Sequence, residues 1–132
     1  PYLEKQGGVI INVSSLAARC ATSGRDTLYG PMKAAVVNYT NTLAGEVAAK
    51  GIRVLCIMPG FTLTPLVAQT IAPEELNKQV KSCLLRRPAQ PEEIAGPIVF
   101  LASQQAAYMD AATIEVSGGR NVTLNPGYSY ND

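Results

Sequence analysis

The sequence contains no histidine and no tryptophan among its 132 residues. The absence of histidine excludes Ser-His-Asp hydrolysis and Cys-His chemistry, and it removes the commonest ligand of transition metals. We therefore expect no metal site. The three cysteines, Cys20, Cys56 and Cys83, are odd in number and widely spaced, which favours reduced thiols over a disulfide framework.

Charge and long apolar runs are also scarce. Charged residues make up 16% of the chain, and the net charge is +1. Lysines and arginines are scattered, and only Arg86 and Arg87 are adjacent, so no basic stripe indicates a nucleic-acid partner. No apolar run reaches the ~20 residues of a transmembrane helix, and the first residues do not resemble a signal peptide. We expect a cytoplasmic protein with neither a nucleic-acid nor a membrane partner.

A tyrosine and a lysine stand four residues apart where the sequence changes from loop to helix, in Tyr29-Gly30-Pro31-Met32-Lys33. On a helix this spacing puts both side chains on one face. A lysine ammonium close to a phenol stabilises the phenolate, so such a tyrosine can exchange a proton with an alcohol or carbonyl oxygen. Because proline is tolerated only in the first turn, we expect the helix to begin near Asp26 or Thr27. A tyrosine and a lysine at this spacing more often lie on a solvated helix face. The neighbouring sequence must therefore decide between a solvated face and a catalytic pair.

An apolar run precedes this pair and ends in two serines. Residues 7–15 read Gly-Gly-Val-Ile-Ile-Asn-Val-Ser-Ser, which is typical of a buried parallel strand. Ligands bind beyond the carboxyl ends of strands in open α/β sheets, so the serine hydroxyls would lie at the binding edge. A second apolar run, 52–58, follows the helix and ends at Pro59-Gly60. Strand, helix and strand together predict a right-handed crossover between parallel strands.

The strand ending Asn-Val-Ser-Ser, the loop, and Tyr-Gly-Pro-Met-Lys-Ala-Ala resemble the active-site region of the short-chain dehydrogenase/reductase family. Residues 59–65 resemble the Pro-Gly loop of that family, and Pro-Glu-Glu-Ile-Ala at 91–95 resembles one of its helix starts. The resemblance covers residues 7–120. It implies reversible hydride transfer between an alcohol or carbonyl substrate and NAD or NADP.

By this resemblance, Tyr29 is the acid/base, Ser15 holds the substrate oxygen, and Lys33 assists the tyrosine and binds the nicotinamide ribose. Ser15 and Tyr29 are fourteen residues apart, one more than is typical of the family, so Ser14 could share the role, although we favour Ser15. The backbone near Thr62 and the hydroxyl of Thr64 would meet the nicotinamide carboxamide. The full set implied to bind the cofactor is Tyr29, Lys33, Pro59, Gly60, Thr62 and Thr64.

The fold implied is a Rossmann-like, doubly wound, mostly parallel α/β sheet with strands near 9–13, 52–58 and 112–116. No glycine-rich phosphate loop is present, because Gly7-Gly8 precedes a strand rather than following one. We therefore expect residues 1–132 to be the C-terminal catalytic portion of a single oxidoreductase domain. The N-terminal nucleotide-binding half would be absent, and the isolated fragment inactive. The choice between NAD and NADP stays open.

Some positions depart from the family pattern. Leu55 stands where the second strand usually has asparagine, Asp110-Ala111 replaces Thr-Gly before the last strand, and Ser117 replaces an aspartate after it. None of these is a catalytic residue. They affect packing and loop geometry.

The helix that carries Tyr29 is expected to run to Lys50 and to be ended by Gly51. Its apolar residues at helical spacing are predicted to face the core; they are Met32, Ala35, Val36, Tyr39, Leu43 and Val47. In the family this helix also lies in a subunit interface, which implies a homo-oligomer, a dimer or a tetramer. The rival hypothesis is a non-catalytic or truncated family member that only assembles with other chains.

Overall fold

The computed structural model describes residues 2–21 and 26–131. Within these ranges, three parallel strands form one sheet in the order β1-β2-β3. The strands are β1 Gly8–Val13, β2 Ile52–Pro59 and β3 Thr113–Val116. The predicted strands, and the parallel pairing of β1 with β2, are therefore confirmed.

Helices connect and follow the strands. The α-helices are α1 Leu3–Gln6, α2 Tyr29–Val47, α3 Pro65–Thr70, α4 Pro73–Lys81 and α5 Pro91–Ala102, and short 3-10 helices occupy Leu16–Ala18, Ala48–Lys50, Gln104–Ala106 and Tyr128–Tyr130. Each of α3, α4 and α5 begins with proline, whose missing N–H costs nothing in the first turn. No helix of the described residues is long and apolar enough to cross a membrane.

Strand β2 is covered on both faces, which explains its nearly unbroken apolar sequence. Successive strand residues point to opposite faces. Val54 packs with Ala44 of α2 on one face, whereas Leu55 packs with Leu101 of α5 on the other. Helices thus lie on both sides of the parallel sheet, as in a doubly wound fold.

Helix α2 begins close to its predicted start but ends at Val47, before the predicted end at Lys50. Asp26 Oδ1 accepts hydrogen bonds from the backbone N–H groups of Leu28 at 2.8 Å and Tyr29 at 3.1 Å. The helix itself starts at Tyr29 and continues into the 3-10 turn at residues 48–50. Gly51 follows with φ 67°, a left-handed conformation that suits glycine.

The predicted core stripe of α2 is wrong at three positions. Met32 and Tyr39 are 64% and 55% exposed, and Ala35 is exposed as well. The fully buried residues of α2 are instead small or polar, namely Gly30, Thr40 and Ala44. Leu43 and Val47 of the predicted stripe are partly buried and pack against the core cluster that contains Ala44, as expected. Small residues let the helix approach the sheet closely.

Thr40 is fully buried because its hydroxyl is satisfied. It accepts a hydrogen bond from Asn12 Nδ2 of β1 at 3.0 Å and donates to the carbonyl oxygen of Val36 at 2.9 Å. A buried hydroxyl with both partners is stable, whereas one without them is costly. This pair ties the middle of α2 to β1.

The departures from the family pattern before β3 and in β2 are accommodated by specific contacts. Asp110 Oδ1 accepts from the N–H groups of Val54 at 2.7 Å and Ala111 at 2.9 Å, which joins the entry of β3 to β2. Ala111 has φ 50°, a conformation that the glycine of the family pattern adopts more easily. Leu55 is fully buried.

Candidate active site

The sequence-predicted residues meet at one edge of the sheet, where the parallel strands end. Ser14 follows β1, and its N–H donates to the carbonyl oxygen of Ile57 in β2 at 2.8 Å. Gly60 follows β2, and its N–H donates to Val116 of β3 at 2.9 Å. The loops after all three strands therefore open onto the carboxyl edge, where ligands bind in open α/β sheets.

The two serines after β1 have different surroundings. Ser14 is 3% exposed, and its Oγ donates to the carbonyl oxygen of Lys33 at 2.7 Å. Ser15 Oγ accepts from the N–H of Ala17 at 3.2 Å and caps the 3-10 turn at residues 16–18. Ser15 also lines a cavity of about 360 Å³, which Ser14 does not. Ser14 anchors α2, and Ser15 is open to a ligand.

Tyr29 and Lys33 occupy successive turns at the start of α2. Lys33 Nζ lies 5.7 Å from the centroid of the Tyr29 ring and donates to the carbonyl oxygen of Val13 at 3.1 Å. The ammonium is thus held between the end of β1 and the phenol. Tyr29 is half-exposed and is not among the residues that line the cavity beside Ser15. Through Lys33, the start of α2 is joined to the end of β1, two residues before Ser15.

The loop after β2 lies against the same cavity. Pro59, Gly60 and Thr62 line it together with Ser15. Thr64 does not, because it stands at the start of α3, where its Oγ1 accepts from the N–H of Val67 at 3.3 Å. The hydroxyl hydrogen of Thr64 is left to donate elsewhere. The cofactor roles of all these residues stay predictions.

The backbone of this loop fits the nicotinamide end of a dinucleotide. A Cβ on Gly60 would lie 2.7 Å from the Cα of Ser117, so only glycine permits this close approach. Ala89 exchanges hydrogen bonds with the loop, donating to Phe61 at 3.0 Å and accepting from Leu63 at 2.8 Å. Among the described residues, the N–H of Thr62 between them enters no backbone hydrogen bond. It is therefore able to donate to a carboxamide oxygen.

Sequence reasoning missed part of the cavity wall. The cavity that Ser15 lines is also lined by Glu75, Lys78 and Gln79 of α4 and by Arg120 after β3. Lys78 and Gln79 follow Glu75 by three and four residues, which puts each of them beside Glu75 on the helix surface. Arg120 follows the two glycines that end β3 at the carboxyl edge. Both patterns are common, so neither identifies these residues as ligand contacts without the structure.

An ion pair fixes the segment that supports the Pro-Gly loop. The Arg87 guanidinium donates two hydrogen bonds of 2.6 Å to the Glu93 carboxylate. Glu93 Oε2 also accepts from the N–H of Gln90 at 2.8 Å. The Arg87 hydrogen bonds, followed by the backbone one, lower the pKa of Glu93 to about 2. The start of α5 is thereby tied to the residues just before Ala89.

This lowered pKa predicts an acid-dependent loss of stability. Because the folded state favours ionised Glu93, its stabilisation is present above the ordinary pKa of 4.5 and is lost as the pH falls to about 2. In Glu93→Gln, the free energy of unfolding should fall less steeply over this window. Urea unfolding at a series of pH values measures the slope. The matched control is Glu92→Gln, which should keep the wild-type slope, and equal slopes in both variants would contradict the assignment.

An all-parallel sheet covered on both faces, with polar side chains at its carboxyl edge, is a Rossmann-like α/β fold. The family model described as "Enoyl-(Acyl carrier protein) reductase" matches residues 1–121. The chain belongs to the short-chain dehydrogenase/reductase family.

Curated relatives and solved structures agree with this assignment. The chain is 40% identical over 118 residues to the 3-oxoacyl-[acyl-carrier-protein] reductase FabG of Chlamydia pneumoniae, covering 89% of this chain and 46% of that protein. It is 39% identical over 114 residues to the uncharacterized oxidoreductase YgfF of Escherichia coli K12, covering 86% and 46%. A crystal structure of 3-oxoacyl-[acyl-carrier protein] reductase from Brucella melitensis matches with a TM-score of 0.86 and 33% identity, covering 91% of this chain and 45% of that one.

A structure of 7α-hydroxysteroid dehydrogenase complexed with NADH matches with a TM-score of 0.81 and 34% identity, covering 93% and 48%. The chain spans about half the length of the curated relatives it matches.

Proposed function

We propose that the complete protein, meaning the longest natural protein that contains this chain, is an NAD- or NADP-dependent oxidoreductase. It transfers a hydride between the nicotinamide and an alcohol or carbonyl substrate. The observation that carries the proposal is the placement of Tyr29 and Lys33 at the carboxyl edge of the sheet, with Lys33 Nζ 5.7 Å from the Tyr29 ring centroid. Similar solved structures contain NADH, NAD or NADPH, which supports a nicotinamide cofactor.

In this proposal Tyr29 moves the proton. Its phenol gives a proton to a carbonyl oxygen during reduction and takes one from an alcohol during oxidation. The Lys33 ammonium, fixed by its hydrogen bond to Val13, stabilises the phenolate that is left. The Ser15 hydroxyl donates to the substrate oxygen and orients it. A bound nicotinamide would supply or accept the hydride.

The residues that would hold the nicotinamide come from two loops. Lys33 would contact the ribose, while Pro59, Gly60 and the N–H of Thr62 would contact the ring and its carboxamide. The Thr64 hydroxyl, which still has its hydrogen to donate, completes this set. These contacts would cover one side of the ring.

A nicotinamide titration tests the proposal. The complete protein should bind NADH or NADPH saturably, with enhanced nicotinamide fluorescence, and should oxidise or reduce members of an alcohol and ketone panel. Residues 1–132 alone should show no turnover, because their sequence holds no glycine-rich loop for the pyrophosphate. A complete protein that binds neither cofactor would contradict the enzymatic proposal and favour the assembly alternative.

The two adjacent serines should respond differently to removal of the hydroxyl. Ser15→Ala is expected to lower kcat/KM about 100-fold, as for loss of one donor to a reacting oxygen, with little change in stability. Ser14→Ala should instead lower the free energy of unfolding by about 1 kcal/mol, because it removes the hydrogen bond that joins the end of β1 to the carbonyl oxygen of Lys33 in α2. Steady-state kinetics and urea unfolding of both variants separate the roles. The reverse pattern would assign the substrate oxygen to Ser14.

The outer face of α2 favours a homo-oligomer, which we propose as well. Leu28, Met32 and Tyr39 are 70%, 64% and 55% exposed and lie at helical spacing on one face. Exposed apolar residues grouped in this way mark interaction surfaces. Sedimentation analysis should show a dimer or tetramer in the complete protein, and a monomer at every concentration would exclude it. A cytoplasmic location stays a prediction.

A further inference from the structure

The cavity beside Ser15 carries more positive than negative charge. Lys78 of α4 and Arg120 after β3 line it, and Glu75 is the carboxylate in the same wall. Its volume of about 360 Å³ is at the small end of the range for ligand sites, which indicates a compact ligand. Because Ser15, Gly60 and Thr62 also line it, a molecule in this cavity can touch the candidate active site as well.

The two cations have no carboxylate partner in the described parts of the chain, residues 2–21 and 26–131. The ion pairs there join Arg19 to Glu115, Lys50 to Glu4 and Arg87 to Glu93, and none includes Lys78 or Arg120. Arg120 Nε is moreover buried without a hydrogen-bond partner. A buried donor on a charged group is costly when unpaired, so the Arg120 guanidinium has unused capacity to pair with an anion.

Gln79 provides a second, independent indication of a polar ligand. Its side chain lines the cavity although it is only 5% exposed. Its Nε2 donates a hydrogen bond to Glu75 Oε1, which fixes the orientation of the amide. Its Oε1 is therefore a buried acceptor, and it has no partner among the described residues. A hydroxyl donor on a ligand would satisfy it.

We propose that this cavity binds the anionic group of the substrate, a carboxylate or a phosphate, through Lys78 and Arg120, with Gln79 Oε1 accepting from a substrate hydroxyl. The substrate class is then a compact anionic alcohol or ketone, whose reacting oxygen reaches Ser15 from the same cavity. The proposal rests on the oxidoreductase function proposed above. The charge preference of the cavity is nevertheless a property of the chain that can be measured without cofactor or turnover.

Cys20 offers a probe for this charge preference. It lines the cavity and is partly exposed, whereas Cys56 and Cys83 are buried. Iodoacetate and iodoacetamide are similar in size and alkylate the same sulfur, but only iodoacetate is an anion. The ratio of their rates at Cys20 therefore reports the local charge and cancels changes in thiol reactivity. In the complete protein, mass spectrometry of the Cys20 peptide gives both rates.

We expect the iodoacetate-to-iodoacetamide ratio at Cys20 to exceed that of N-acetylcysteine amide, a thiol without other charges, roughly tenfold, because the cations concentrate the anion. Lys78→Gln and Arg120→Gln should each lower the ratio toward that reference, and Arg120→Lys should retain most of it. The matched control is Lys81→Gln, on the same helix but outside the cavity wall, which should leave the ratio unchanged. A wild-type ratio equal to that of N-acetylcysteine amide, or no alkylation of Cys20 by either reagent, would overturn the proposal.

Protection experiments distinguish the two kinds of anion. Lactate and glycerol phosphate are added during alkylation by neutral iodoacetamide, with methyl lactate and glycerol as their neutral counterparts. Protection of Cys20 by the anion, but not by its neutral counterpart, supports the proposal, and the more effective anion identifies the preferred group. Equal protection by charged and neutral compounds would contradict it. Since neither assay uses nicotinamide, failure here leaves the oxidoreductase proposal to its own titration.

Discussion

Replacing Tyr29 with phenylalanine is expected to lower kcat of the complete protein roughly 10²–10⁴-fold, the usual range for a general acid/base. The ring stays in place, so helix α2 and its contacts should be preserved. Only the oxygen that exchanges the proton is lost, and the dissociation constant of the nicotinamide cofactor should change little. Steady-state kinetics and a fluorescence titration of the same variant measure the two quantities.

The matched control for this substitution is Tyr39→Phe. Tyr39 lies on the same helix, it is 55% exposed, and it is far along the helix from the sheet edge. The same chemical change there should leave kcat near the wild-type value. Near-normal turnover in Tyr29→Phe would exclude Tyr29 as the acid/base. An equal loss in both variants would point to a general effect on α2.

The sequence alone predicts the strands and their direction, because the signals involved are local. Apolar runs at β1 and β2 are bounded by glycine or proline, and the helix between them leaves only a parallel arrangement. Ser15, Tyr29 and Lys33 then follow as residues of one sheet edge. The start of α2 is also local, since Asp26 accepts from the first N–H groups of the helix. Each of these features depends on residues close in sequence.

The face of α2 that packs on the sheet could not be predicted in the same way. A hydrophobic pattern favours Met32 and Tyr39 as core residues, yet both are exposed. Thr40 is buried because Asn12, on a different element, gives its hydroxyl a partner. That pairing depends on the distance between two elements rather than on the composition of either. Because α2 carries apolar residues on both sides, its hydrophobic pattern does not identify the side that packs on the sheet.

The residues of the cavity wall that the sequence did not predict were missed for the same reason, because their arrangement depends on contacts between elements. Lys78 and Gln79 belong to α4, and Arg120 belongs to the turn after β3, so these residues meet only when the chain folds. Neither segment shows a motif that identifies it as a ligand site. What marks them is the burial of unpaired polar atoms, Gln79 Oε1 and Arg120 Nε. Burial of this kind is visible only in three dimensions.

Leu55 is a buried apolar residue at a position where the family pattern has a polar one. It stands where the family pattern has asparagine, and it is fully buried between the sheet and α5. Its neighbours in that cluster are all apolar, including Leu101 and Ala106. Asparagine has nearly the shape of leucine, but its amide needs hydrogen-bond partners. The surroundings of this site in the described chain offer it apolar side chains instead.

Leu55→Asn is therefore expected to lower the free energy of unfolding by about 3 kcal/mol or more, since it removes apolar packing and buries an unpaired amide. Urea unfolding of the complete protein measures the loss. Leu66→Asn makes the same exchange at a residue of α3 that is 72% exposed, and it should cost about 0.5 kcal/mol or less. Leu55→Met keeps the volume and the apolar character, so it should cost less than about 1.5 kcal/mol. If Leu55→Asn were as mild as Leu66→Asn, the amide would have to find partners by rearrangement, and the packing described for this face of β2 would be wrong.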